Sequence, residues 1–327
     1  MAPMEYRRLG RTGIKVSVLS YGAWVSFGTQ LGNREVQDIM RSAQEAGVNF
    51  WDNAEVYASG QAETLMGQAF KDLGWKRSDH VVSTKIFWGG AGPNDSGLSR
   101  KHIVEGTKAS LARLQMDYVD LLFCHRPDPN TAIEETVRAM NYCIDKGWAF
   151  YWGTSEWSEA QISEACAVAK ELGLVPPAFE QPEYNLLHRH KVEKEFLPLY
   201  DTRSGLGLTT WSPLASGILT GKYSGGTAPP GSRLALEQYK GLAQKKLVEN
   251  REAIEKTDQL KPLAAELGCS LAQLALAWCA ANPRVSTVIT GATRVDQVKD
   301  NMGALNVLPK LTPDVMERIE AIANSKP

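Results

Sequence analysis

Short, apolar, β-rich runs alternate with helix-patterned stretches along almost the whole chain, and no other feature restricts the fold as much. A hairpin can reverse in two residues, but a strand that returns parallel to its neighbour needs a crossover of a dozen or more, usually a helix. Eight runs read as strands: Val18–Trp24, Val48–Asp52, Val81–Ile86, Tyr118–His125, Phe150–Ser155, Phe179–Tyr184, Leu206–Trp211 and Val285–Thr290. Between and after them, Arg34–Gly47, Ala62–Leu73, Lys101–Leu114, Ala132–Gly147, Ser158–Gly173, Val192–Tyr200 and Val295–Leu305 carry helical spacing. Thr131, with Glu134 three residues on, reads as a helix cap, and Ser158 as another.

Alternation this regular implies a parallel sheet clothed by crossover helices. Eight units favour a closed (β/α)8 barrel, the TIM-barrel class, over an open doubly wound sheet. Met4–Leu9 and Ile14–Val18, separated by Gly10-Arg-Thr-Gly13, read as a β-hairpin ahead of the barrel. No long linker divides the chain, so residues 1–327 are expected to form one domain. Gly89–Ser99 and Leu214–Tyr239 fall outside the repeat. Both follow strand ends and are rich in Gly, Pro and Ser, the character of active-site loops. Gln259–Asn282 reads as a further long helical region, broken near Gly268.

Composition narrows the function. The 327 residues are 43% hydrophobic and 22% charged, which allows a large core. With 36 basic against 37 acidic residues, the chain offers no field for nucleic acid or an anionic membrane. Five scattered cysteines without Cys-x-x-Cys spacing read as reduced thiols of a cytoplasmic protein, and no metal site is expected. No apolar run approaches the ~18 residues of a membrane span.

The strand ends gather the chemistry. In a barrel they ring one mouth however far apart they lie in sequence. Strand two ends at Asp52, with Tyr57 in its loop; strand three ends at Lys85; strand four ends at His125. Strand five ends at Ser155-Glu156, and strand six carries Gln181. An isolated lysine or histidine at such a place usually serves structure; an Asp, a Tyr, a Lys and a His on one face are hard to assign to packing.

The quartet suits carbonyl reduction. Hydride arriving at a carbonyl carbon leaves an alkoxide that needs a proton at once. A phenol with a pKa near ~10 is an available acid at neutral pH. A lysine cation beside Tyr57 is expected to lower that pKa toward the working range, with Asp52 holding Lys85 in place. His125 can donate a hydrogen bond to the carbonyl oxygen. None of the four is a hydride source, so the scheme requires a nicotinamide cofactor.

Asp52, Tyr57, Lys85 and His125 resemble the catalytic tetrad of the aldo-keto reductase family, NADPH-dependent (β/α)8-barrel enzymes. Within that family the chain is similar, over nearly its whole length, to the cytoplasmic beta subunits of voltage-gated potassium channels. The likeness is carried by Trp-Val-Ser-Phe-Gly at 24–28, Lys-Ile-Phe-Trp-Gly-Gly at 85–90, Gly-Leu-Ser-Arg-Lys-His-Ile at 97–103 and Arg-Pro-Asp-Pro-Asn-Thr at 126–131. Glu-Glu-Thr-Val-Arg-Ala-Met at 134–140, Tyr-Trp-Gly-Thr-Ser at 151–155 and Trp-Ser-Pro-Leu-Ala at 211–215 add to it.

The resemblance implies an NADP(H) site and a carbonyl substrate. Ser155, Glu156 and Gln181 would hold the nicotinamide amide, with Trp24, Gln30 and Asp52 also beside the cofactor. Trp211, Ser212, Pro213 and Leu214, joined by Ser216 and Gly217, would line the ribose and pyrophosphate path. Lys222 and Arg233 are candidate phosphate contacts. Gly291, Thr293, Arg294, Gln297, Asp300 and Asn301 would receive the adenosine 2′-phosphate and adenine. An anion site built from a helix start with Arg and Lys favours NADP over NAD. For Lys222 and Arg294 a solvated surface charge is an equal alternative. Trp24, Phe87 and Trp88 either wall an apolar pocket or pack the barrel top.

Two tempting patterns fail. No Gly-x-Gly-x-x-Gly opens a helix after the first strand, and Gly217-Ile-Leu-Thr-Gly221-Lys222 is one residue short of a Walker loop.

Animal channel subunits carry Asn where His125 stands and Arg where Glu156 stands, so the resemblance is to the plant-type relatives. Glu156 would accept the carboxamide N–H bonds. The first barrel strand begins so early that a channel-plugging extension is not expected. By resemblance the partners would be a voltage-gated potassium channel alpha subunit and three further copies in a homotetramer, at the cytoplasmic face of a membrane.

Overall fold

The computed structural model describes residues 2–200 and 205–327. Its first ordered element is an antiparallel ribbon of β1 (Tyr6–Arg8) and β2 (Lys15–Ser17). Leu9 and Val16 from this ribbon pack with Phe50, Val81, Leu121, Phe123, Phe179 and Ile289. The ribbon therefore contributes directly to an apolar cluster shared with the barrel strands. Its turn is wedged tightly: Gly10, at φ +55°, would place a Cβ 2.4 Å from the backbone nitrogen of Gly207. Only glycine fits that approach and that left-handed conformation.

Eight parallel strands follow: β3 (Leu19–Gly22), β4 (Phe50–Asp52), β5 (Val81–Ile86), β6 (Val119–Cys124), β7 (Ala149–Ser155), β8 (Phe179–Gln181), β9 (Gly207–Thr210) and β10 (Val285–Thr290). They close into a barrel in the order β10-β3-β4-β5-β6-β7-β8-β9, and Val288 of the last strand pairs with Leu19 of the first. Closure leaves no strand edge exposed. A barrel wrapped by helices buries both faces of each strand, so β5, β6 and β10 have no exposed residue. A larger apolar cluster fills the space between strands and helices.

The expected helices form at Asn33–Glu45, Gln61–Asp72, Arg100–Leu114, Ile133–Asp145, Glu159–Glu171 and Val295–Met302, within a few residues of their sequence spans. Ser158 caps its helix in a reciprocal pair with Gln161. Thr131 does not cap the preceding helix, Ile133–Asp145, where Ala132 takes the N-cap place. Its hydroxyl donates instead to Asp128, which also accepts the Leu98 and Asn130 N–H groups. Val192–Tyr200 is a π-turn over Lys191–Glu195 and a short helix over Leu197–Tyr200 rather than one helix. Pro198 lacks the N–H a continuous helix would need there.

Leu214–Tyr239 is a chain of short 3₁₀ turns. Gln259–Asn282 forms Lys261–Glu266 and Leu271–Ala281, broken at Gly268 as expected, and Arg251–Gln259 is a further helix ahead of it. Pro313–Ala323 adds a terminal helix capped by Thr312. Among the described residues no single helix is long and apolar enough to cross a membrane.

Candidate active site

Strand register assembles the site. Asp52 of β4 pairs with Ser83 of β5, and alternation puts Lys85 on the same face two residues further on. Thr84, between them, faces the other way and donates to the buried Glu63. The loop after β4 is pinned to the next strand end, because Glu55 accepts the Phe87 N–H at 2.7 Å and contacts His102 Nε2 at 2.9 Å. Its own N–H donates to the Lys85 carbonyl. That anchorage sets Tyr57 at the start of a tight turn over Tyr57–Gly60.

Lys85 Nζ then has three acceptors for its three protons: Asp52 Oδ2 at 2.6 Å, the Asn53 carbonyl at 2.8 Å and the Tyr57 hydroxyl at 3.2 Å. Since the ammonium donates to the phenol oxygen, the phenol proton is free to point elsewhere. Asp52 Oδ1 accepts from Ser83 Oγ at 2.8 Å and from Gln181 Nε2 at 3.1 Å, and Gln181 Nε2 also reaches Thr209 Oγ1. The His125 ring meets Tyr57 edge-on at 5.8 Å and Trp88 at 5.0 Å. Its Nδ1 has no hydrogen-bond partner among the described residues.

Burial dominates the proton affinities. It raises the Tyr57 pKa above the ordinary phenol value; Lys85 pulls it down, but Asp52 cancels part of that pull. The expected lowering by Lys85 is thus corrected: desolvating a phenolate costs more than a half-neutralised lysine returns. For Lys85, burial works against the charge, yet Asp52 and Tyr57 more than offset it and the pKa rises. Burial, then the Lys85 and Arg126 charges, hold His125 well below its usual range, so the imidazole is neutral.

These groups open on a cavity of about 800 Å³, within the range of cofactor and ligand sites. It is lined by Tyr57, His125, Asp52, Trp24, Gln30, Ser155 and Gln181, by Trp211, Ser212, Pro213, Leu214, Ser216, Gly217, Lys222 and Arg233 from β9's end and the loop after it, and by Gly291, Thr293, Gln297, Asp300 and Asn301 after β10. Lys85 lies beneath the lining, fully buried. Trp88 is on the wall, while Phe87 packs against it at 4.8 Å from outside the lining.

Besides Lys85 and Phe87, two sequence-predicted residues are not on the wall. Arg294 is exposed and turned to Asp296 at 3.1 Å. Glu156 is committed inside the protein: Oε1 accepts the Glu183 N–H at 2.6 Å and Trp211 Nε1 at 2.9 Å, and Oε2 meets Lys191 Nζ at 2.9 Å. Burial raises its pKa, but Lys191 and these donors outweigh that and hold it below the usual carboxylate range. The expectation that Glu156 would receive carboxamide N–H bonds is not met, because Glu156 is off the cavity wall and its carboxylate turns to Glu183, Trp211 and Lys191 instead.

Sequence reasoning missed three participants. Ser83 shares a face with Lys85, a signal the strand period carried. Arg126 lines the cavity and donates to the His125 carbonyl and to Ser155 Oγ at 3.2 Å. Lys191, the partner of Glu156, gave no signal.

The part of the lining that carries Lys222 and Arg233 fits a polyanion. Burial and the nearby Arg294 and Arg233 lower the Lys222 pKa. Burial likewise lowers that of Arg233, whose guanidinium lies 4.3 Å over the Trp24 ring. Its Nε and Nη2 are buried with no acceptor among the described residues. Cations left this way ask for an incoming acceptor such as phosphate.

A sequence profile agrees with the geometry: residues 18–324 match that of the aldo/keto reductase family. The chain belongs to the aldo/keto reductase family. Two relatives, from Arabidopsis thaliana and Oryza sativa subsp. japonica, are each 65% identical over 324 residues, covering 99% of this chain and 98% of the relative. Both are described as a probable voltage-gated potassium channel subunit beta. Membership places the chain among oxidoreductases of a family that generally uses NAD(P)H.

Proposed function

We propose that this reductase converts aldehydes and ketones to alcohols with NADPH as the electron source. The observation that carries the reading is the phenol of Tyr57, 3.2 Å from a buried ammonium and facing a large cavity. Ser155 and Gln181 would hold the nicotinamide end, Trp211 would wall it, and Lys222 with Arg233 would take the phosphates. The bound dinucleotide supplies a hydride to the carbonyl carbon.

The protein's own residues do the rest. Tyr57 gives its proton to the carbonyl oxygen, and the phenolate left behind is stabilised by Lys85 until solvent returns a proton. Asp52 fixes the ammonium, and Ser83 and Gln181 fix Asp52. Neutral His125 offers an N–H to the same oxygen without competing as an acid. Trp24 and Trp88 give the substrate an apolar, aromatic approach.

Purified protein should bind NADPH and reduce 4-nitrobenzaldehyde. Tyr57→Phe should abolish turnover and leave NADPH binding intact. Wild-type rates in that variant would remove the proposed acid.

The names of the relatives favour a second reading compatible with the first, a regulatory subunit docked on a potassium channel alpha subunit; redox sensing, a homotetramer and a place at the cytoplasmic face of the membrane go with it by family resemblance. A monomer in light scattering at micromolar concentration would refute the assembly.

A further inference from the structure

Glu156 sits where β7 has ended, at φ +60°, a left-handed conformation costly for any residue with a Cβ. The turn sends its carboxylate across the ends of the two following strands. There it accepts a backbone N–H from Glu183 and the indole N–H of Trp211. Glu183 and Trp211 are themselves joined as an isolated parallel bridge. The Trp211 N–H donates to the Pro182 carbonyl, and the Trp211 carbonyl accepts from Tyr184. Ser212, next along, is again left-handed at φ +57°. Two strained turns that border the cavity are thus tied together by one carboxylate.

Three donors converge on that carboxylate: a backbone amide, an indole and the Lys191 ammonium, which also donates to the Trp157 carbonyl at 3.2 Å. An ionised carboxylate, acceptor at both oxygens, is the side chain such a cluster needs. Glutamine would serve two of the donors and set its NH₂ against the ammonium. Trp211 is only half-buried, and its other aromatic contact is the edge of Trp24 at 5.8 Å. The indole is therefore oriented chiefly from Glu156.

We propose that Glu156 is a positioning residue: with Lys191 as counter-ion it fixes the indole of Trp211 in the attitude that receives the dinucleotide. The inference rests on the reading that the Trp211 wall belongs to the cofactor site.

The first test needs no ligand. With ¹⁵N-labelled tryptophan, the Trp211 indole N–H is assigned by its loss in Trp211→Phe. It should exchange slowly with solvent in the wild type and rapidly in Glu156→Leu. The six indole signals other than those of Trp211, its neighbour Trp24 and Trp157 should hold their places, showing an intact fold. Glu156→Gln combined with Lys191→Met, which removes the donor clash, should restore slow exchange.

The second test is NADPH titration by protein fluorescence. Glu156→Leu should weaken binding roughly tenfold, the scale of one charge-assisted hydrogen bond. In a Trp211→Phe background the same substitution should add less than about twofold, since its effect passes through the indole. An unchanged indole exchange rate in Glu156→Leu, or additive losses in the double variant, overturns the proposal. A wild-type protein that fails to bind NADPH refutes the proposed function, while the indole signal still decides whether the anchor exists.

Discussion

Replacing Lys85 by Met separates the two jobs of the Asp52–Lys85 pair. Lys85 has no exposed side-chain surface and Asp52 has 4%, with 2.6 Å between the charges. Met fills a similar volume but leaves a buried carboxylate with only Ser83 and Gln181 as donors. Breaking a buried pair from one side costs about 3–5 kcal/mol. A chain of 327 residues has an unfolding entropy near ~0.7 kcal/mol/K, so the melting midpoint should fall by roughly 4–7 °C. Asp52→Asn in the same protein removes the stranded charge while keeping an oxygen for Ser83 and Gln181. The double variant should recover at least about 2 kcal/mol relative to the sum of the single losses.

Turnover should not follow stability. Lys85→Met and the double variant both leave the Tyr57 phenolate without its cation, and each should lose at least about a hundredfold in aldehyde reduction. Urea denaturation of the four proteins gives the coupling, and initial rates with saturating NADPH give the activity. Single losses that simply add in the double variant would show that the pair is not energetically coupled. Recovery of turnover in the double variant would show that Tyr57 does not depend on Lys85.

Glu180 is buried with Oε1 unpartnered, and burial raises its pKa to about 8, so the folded protein holds a proton that the unfolded chain releases near the ordinary glutamate value. Stability from this group is complete below about pH 4.5 and is lost as pH rises to about 8. Between about pH 5.5 and 7, Glu180→Gln should flatten the unfolding free energy by up to about 1.4 kcal/mol per pH unit, and an unchanged slope would refute the assignment. His80 runs the other way: burial lowers its pKa to about 4, and neutral Nδ1 accepts Trp51 Nε1–H at 3.0 Å. Its contribution is present above about pH 6.5 and is lost as pH falls toward 4. His80→Gln should remove that acid limb from a pH series of melting midpoints. Arg233→Met should leave ligand-free stability unchanged or higher, because a buried guanidinium with two unpartnered nitrogens disappears, while NADPH binding weakens at least about tenfold. Equal NADPH affinity in that variant would take Arg233 out of the phosphate path.

The barrel was legible because parallel strands buried on both faces leave compact apolar runs, and the residues closing those runs face one mouth. Asp52, Lys85 and His125 were found this way; register brings Asp52 and Lys85 together, and the His125 N–H on the Ile86 carbonyl continues it one residue past β6. Proline and capping signals fared less evenly. Ser158 behaved as its spacing implied, but Thr131 found Asp128 closer than its helix N–H groups. The Thr312-Pro313 start of the last helix carried a readable cap and proline signal that the strand count passed over. Glu156 was misplaced for a deeper reason. Its left-handed turn is not announced by glycine or asparagine, and its partner Lys191 lies on a different unit. The direction of the Tyr57 shift was also beyond sequence, since it depends on how much water the folded loop excludes.

One further consequence lies in how the ring is divided. The acid, its cation, the carboxylate and the imidazole all come from the first four barrel strands and their loops, whereas Gln181, Trp211, Lys222, Arg233 and the residues after β10 come from the last four. A cut between Asp145 and Ala149 would therefore yield one fragment holding the proton machinery and another holding the cradle. Neither would be competent alone, and the hydrogen bond from Gln181 to Asp52 spans that seam. The activity of this chain doubles as a report on whether its two halves have met.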